Sequence, residues 1–203
     1  MAFRVCKIGT VLTAMFAIPM AIEIDHLLLL WLKNPPPHAA SMCIFTLAFI
    51  VIEKISCGHL TAVNASGRIA KFQLLRGFLR ALVIPFALVP ACLGWGVVAT
   101  TAALPLSVIF VDIGDVCLAR KRVGMEIGVW LRDVVVPVGL LILLSFAVGS
   151  VPKRMLEPSF LRIVTTTIVT LLVMLPAAWC LIFTQQERKF LCSKMRNFAW
   201  YRH

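Results

Sequence analysis

Glu53, Lys54, Arg76, Arg80, Asp112 and Asp115 are the residues of this chain whose types and spacing could do chemistry in an apolar setting. Glu53 and Lys54 sit well inside the apolar stretch 39–62, where an unpaired charge costs about 2.5–3.5 kcal/mol on insertion scales. Adjacent residues of a helix point roughly 100° apart, so the two cannot satisfy each other by stacking; each calls for a group on another helix or for a polar cavity. Arg76 and Arg80 are spaced i,i+4, and Asp112 and Asp115 are spaced i,i+3, so each pair occupies one face of its helix. Counted outward from a turn near Gly94, the arginines fall at the depth of the two aspartates. The spacing therefore predicts an ion-paired cluster fixing a helix hairpin, with Asp112 and Asp115 as its structural members. A guanidinium left over could grip a pyrophosphate in bidentate fashion, which makes Arg76 and Arg80, with Glu53 and Lys54, the candidate substrate-binding residues.

No catalytic or metal-binding pattern accompanies them. His59 has no acid–base partner in the sequence. Cysteines 6, 43, 57, 92, 117, 180 and 192 stand singly, without C-x-x-C or paired histidines, so neither a zinc site nor a disulfide framework is indicated. The expectation is a protein that is not an enzyme and that uses no metal or cofactor.

The elements that must position these residues are membrane helices. Apolar residues make up 61% of the 203-residue chain and charged residues 14%, and the mean hydropathy is +0.95, outside the range of a soluble domain. Apolar segments at roughly 8–24, 39–62, 74–93, 96–118, 133–150 and 160–183 are each near the ~20 residues that cross ~30 Å of hydrocarbon. The fold class is all-α, a polytopic transmembrane bundle of about six spans over 1–184, followed by a basic tail over 185–203. The net charge of +11 does not mark a nucleic-acid binder, because the basic residues lie between spans rather than on one face of a soluble module. They gather at 4–7, 68–80, 120–122, 132 and 188–202, against only Lys33, Lys153, Arg154 and Arg162 in the alternate loops. The positive-inside rule then puts both termini in the cytoplasm. The cytoplasmic side of that topology discounts the glycosylation-like Asn64-Ala65-Ser66.

The first span is followed by a stretch, Glu23 to His38, that reads as a wet outer loop with Pro35-Pro36-Pro37 as an extended corner and Trp31 at the membrane surface. Gly67 permits a tight turn after the second span, and Arg68 and Lys71 then face lipid headgroups. Pro85, Pro90, Pro105, Pro137 and Pro176 interrupt the later spans and predict kinks.

Three short motifs carry a resemblance. Pro19 to Lys33 fits P-x-x-x-x-x-D-x-x-L-x-L-W-L-K, Ala65 to Gln73 fits A-[TS]-G-[KR]-I-x-x-[FY]-Q, and Glu187-Arg188-Lys189-Phe190 closes the last span. In order and spacing these resemble the C-terminal half of bacterial polysaccharide (O-antigen type) flippases of the multidrug/oligosaccharidyl-lipid/polysaccharide superfamily. The resemblance implies a two-lobed transporter in the bacterial cytoplasmic (inner) membrane that moves an undecaprenyl-pyrophosphate-linked oligosaccharide by alternating access. Its partners would be membrane lipid, the lipid-linked oligosaccharide and an N-terminal lobe that this chain does not contain. The alternative reading is a non-transporting membrane scaffold in an envelope-polysaccharide assembly.

Overall fold

The computed structural model describes residues 2–65, 70–124, 126–182 and 188. The turn at 66–69 and the tail call at 185–203, Arg188 excepted, lie outside the described residues. Among the described residues the chain is helical with no strand: α1 (Ala2–Ile22), α2 (Ile24–Leu32), α3 (Ala39–Ala65), α4 (Ala70–Ala81), α5 (Val83–Cys92), α6 (Gly96–Val123), α7 (Ile127–Trp130), α8 (Val136–Gly149), α9 (Val151–Met155) and α10 (Phe160–Ala177). Helices are the expected outcome, since within hydrocarbon every backbone N–H must find its acceptor inside the segment. Six spans are long and apolar enough to cross a membrane: Phe3–Ile22, Ala39–Gly58, Phe72–Cys92, Gly96–Arg120, Ile127–Met155 and Phe160–Ile182. They correspond one for one to the six read from the sequence. The protein is an all-helical, multi-pass membrane protein.

Side-chain periodicity sets the packing. Cys6, Thr10, Ala14, Ile18 and Ile22 form a buried stripe on α1 at four-residue spacing. Arg162, Thr166, Thr170 and Met174 do the same on α10, and Val138, Leu141, Ser145 and Gly149 on α8. The apolar members of these stripes make one core that α1 shares with α8 and α10. The opposite side of α1 packs on α3, α3 packs on α6, and α6 carries α4 and α5. The bundle is thus a row with α1 near its middle and the α4–α5 span at its edge, where most side chains are exposed.

Prolines and glycines shape the spans locally. Pro85 has no N–H to donate to the carbonyl of Ala81 and its ring crowds that carbonyl, so the third span breaks at Leu82 into α4 and α5. Pro137 follows a π-helical turn over Leu131–Val135, the wider winding that a missing i→i−4 bond permits. A second π-helical turn, Ala178–Ile182, follows Pro176. Pro90 and Pro105 lie inside α5 and α6. Gly149 marks the closest helix approach: a Cβ there would lie 2.5 Å from Thr170 Oγ1 and 2.8 Å from Ile22 Cδ1.

One expectation is corrected. The stretch after the first span is not an open loop throughout, since Ile24–Leu32 folds as α2. Ile24 and Leu28, one turn apart, are buried, while Leu29, Leu30 and Trp31 stay exposed. Only Lys33 to His38 forms the irregular corner, and positive φ at Lys33 (57°) and His38 (68°) bounds it.

Candidate functional site

The charged residues singled out above converge on one end of the row. Antiparallel packing brings the start of α1, the end of α3, the start of α4 and the end of α6 to the same end. Glu53 lies five residues inside the end of its span at Gly58, or about 8 Å at 1.5 Å per residue. Arg80 and Asp112 lie about 12 Å inside theirs by the same rise. All lie inside stretches long and apolar enough to cross a membrane, where a charged group's partners decide its cost.

The structure joins them in three pairs across α3, α4 and α6. Arg76 Nε donates to Asp115 Oδ2 at 2.8 Å, with Asp115 almost fully buried. Arg80 Nη2 donates to Glu53 Oε1, linking α4 to α3. Ser56 Oγ donates to Asp112 Oδ1 at 2.5 Å, linking α3 to α6. Within the expected cluster, Arg76 and Asp115 pair. Two details differ from the spacing argument: Arg80 turns to Glu53, and Asp112 has a hydroxyl as its partner instead of an ion pair among the described residues. The physical reason is that α3 lies directly on α6, which puts Ser56 on Asp112 and leaves Arg80 facing Glu53. Lys54, half-buried, makes no hydrogen bond or ion pair with a described residue, and Cys57 lies one turn beyond it. The side chains of His59 and Lys71 lie outside the described residues.

Exposure separates the pairs. Asp115 Oδ1 is buried without a hydrogen-bond partner, beside a guanidinium that is only 13% exposed. The Arg80 side chain is 46% exposed and that of Glu53 23%. An ion pair at this depth cannot face acyl chains at such exposure without a large desolvation cost. Water or another polypeptide must cover it.

A second polar cluster, not anticipated from the sequence, closes the other end of the bundle. Glu23, at the α1–α2 junction, is buried, and its Oε2 accepts from Arg162 Nε at 3.0 Å and Nη2 at 2.8 Å. Its Oε1 accepts from Thr166 Oγ1 at 3.0 Å. Lys153 Nζ donates to the Ile22 carbonyl at 2.8 Å and reaches Asp25 at 3.4 Å. The signal in the sequence was the four-residue series Arg162, Thr166, Thr170, a polar stripe on an otherwise apolar span that calls for a buried acid opposite.

Among the described residues no group of three or more His, Cys, Asp or Glu side chains could hold a metal ion. No protein-family profile, curated protein or solved structure matches the chain. The flippase resemblance therefore rests on the three motifs that carry it.

Proposed function

We propose that the protein is one lobe of a membrane transporter for a lipid-linked oligosaccharide, its charged α3–α4 face lining the polar pathway. The observation that carries this reading is the Glu53–Arg80 pair, exposed at membrane depth where lipid is not a tolerable neighbour. A substrate with an anionic diphosphate linkage and a polar glycan needs a wet intramembrane surface of this kind. Arg80 would meet the phosphates by exchanging Glu53 for them, a swap of one charge-assisted partner for another. Lys54 on the neighbouring face of α3 adds a second positive charge, with no ion pair to a described residue to give up. Arg76, held by Asp115 and mostly buried, serves as the hinge-side anchor of α4. The three sequence motifs support the bacterial polysaccharide substrate class, and the inner membrane as location.

The test is complementation. The chain is expressed in a flippase-deficient bacterium, alone and with a separately encoded N-terminal lobe, and surface polysaccharide is quantified. Restoration that is abolished by Arg80→Gln and Lys54→Gln is the expected result. Stable insertion with no restoration in either arrangement would overturn the transport reading and favour a scaffold, whose charged face would be covered by a partner protein.

A further inference from the structure

Sequence spacing scatters the cysteines, but the fold brings two of them together where α1 crosses α3. Cys6 is fully buried, and its sulfur accepts from the backbone N–H of Gly58 at 3.2 Å. Cys57, the preceding residue of α3, points its thiol back at α1, 3.9 Å from the carbonyl oxygen of Val5. The Cys6 sulfur thus lies against the residue that follows Cys57, and the Cys57 sulfur against the residue that precedes Cys6. Gly9 makes the approach possible, since a Cβ at that position would stand 3.4 Å from the Cys57 sulfur and any larger side chain would fill its place. A disulfide between them would close a ~2.0 Å S–S bond between helices already in contact.

We propose that Cys6 and Cys57 form an oxidisable dithiol that ties α1 covalently to α3 when the membrane meets a peroxide. Cys57 is only half-buried whereas Cys6 is sealed, so Cys57 meets the oxidant first. Its sulfur attacks one peroxide oxygen and the O–O bond breaks, giving a sulfenic acid and one water. The Cys6 sulfur then attacks the Cys57 sulfur; the S–S bond forms, the S–O bond breaks, and hydroxide leaves with the Cys6 proton as a second water. Two thiols are oxidised and one hydrogen peroxide is reduced to two waters, so the balance closes. The tie fixes α1 and α3 at the end of the bundle that holds Glu53, Ser56 and their partners, and reduction releases it. Burial of Cys6 keeps the pair from exchange with other chains; of the remaining described cysteines Cys43 is half-buried and Cys92, Cys117 and Cys180 are exposed.

The experiment uses the whole protein in native membranes treated with hydrogen peroxide, quenched with an alkylating reagent and digested without reductant for mass spectrometry. A joined peptide containing Cys6 and Cys57 is expected. In Cys6→Ser and Cys57→Ser it is absent, and the surviving thiol is protected from crosslinking by at least about tenfold in rate. Joining of Cys57 to a different cysteine, over-oxidation of Cys57 with Cys6 still alkylatable, or no reaction of either thiol would each overturn the proposal. Wild-type protein alone decides among these outcomes, so a misfolded serine variant does not obscure the result.

Discussion

Arg162 and Glu23 stand 139 residues apart in sequence and meet side by side in the closed end of the bundle, with two guanidinium nitrogens on one carboxylate oxygen. The pair is buried on both sides, and Thr166 occupies the second carboxylate oxygen. The last span is thereby fastened to the junction of the first span with α2. The opposite end carries the part-exposed Arg80–Glu53 pair beside the buried Arg76–Asp115 pair.

Removing one partner of this seal should be costly. Glu23→Gln is expected to lower stability by about 3–5 kcal/mol, because it leaves the Arg162 guanidinium buried without its counter-charge. Replacing both, Glu23→Leu with Arg162→Met, should recover most of that loss. Thermal unfolding in detergent micelles checks it; a single variant as stable as the wild type would remove the seal from the account.

Gly149→Ala should destabilise by about 1–3 kcal/mol, since the new methyl meets Thr170 Oγ1 at 2.5 Å and Ile22 Cδ1 at 2.8 Å in a packed junction. Gly139→Ala, on the same helix with nothing within 4 Å, should be neutral or slightly stabilising through helix propensity. The same unfolding assay compares them, and equal effects would contradict the close approach.

Asp115→Asn should weaken the α4–α6 contact more than Asp112→Asn. The first leaves the Arg76 guanidinium, only 13% exposed, without its carboxylate. The second keeps an acceptor for the Ser56 hydroxyl. Protease sensitivity of the α4–α5 span in membranes reads the difference, with Asp115→Asn cut faster.

An even number of spans would return the chain to the side on which it starts, and the positive-inside rule makes the cytoplasm the expected side. Reporter fusions at residues 1, 34, 94 and 157 test this: residue 1 is expected inside, and 34, 94 and 157, each after an odd number of spans, outside. A cytoplasmic signal at 34 would reverse the orientation.

Much of this was legible in the sequence, because hydropathy and loop charge act over whole segments and survive any detail of packing. The six spans, and the common depth of Arg76, Arg80, Asp112 and Asp115, followed from length, charge and equal counting about the α5–α6 turn. The Arg80–Glu53 contact was not legible, because it depends on how α3 lies against α6, which neither helix encodes alone. Glu23 was read as an interruption rather than an anchor for the same reason: its partner is on the far span of the chain. The helix α2 was masked by Asp25, His26 and the following prolines, although Ile24 and Leu28 already carried its buried stripe. The Cys6–Cys57 contact required the α1–α3 crossing and the space left by Gly9.

The central claim is that the Glu53–Arg80 face is wet at membrane depth. Single cysteines at position 80 (Arg80→Cys) and at the apolar positions Phe78 and Ile84 of the same span, placed in a background lacking the native cysteines, can be probed in intact membranes with a membrane-impermeant, charged thiol reagent. Reaction at position 80 at least about tenfold faster than at 78 or 84 is the predicted result, since a thiol reacts as its solvated thiolate. Equal, negligible rates at all three positions would show that the face is dry and would contradict the transport pathway.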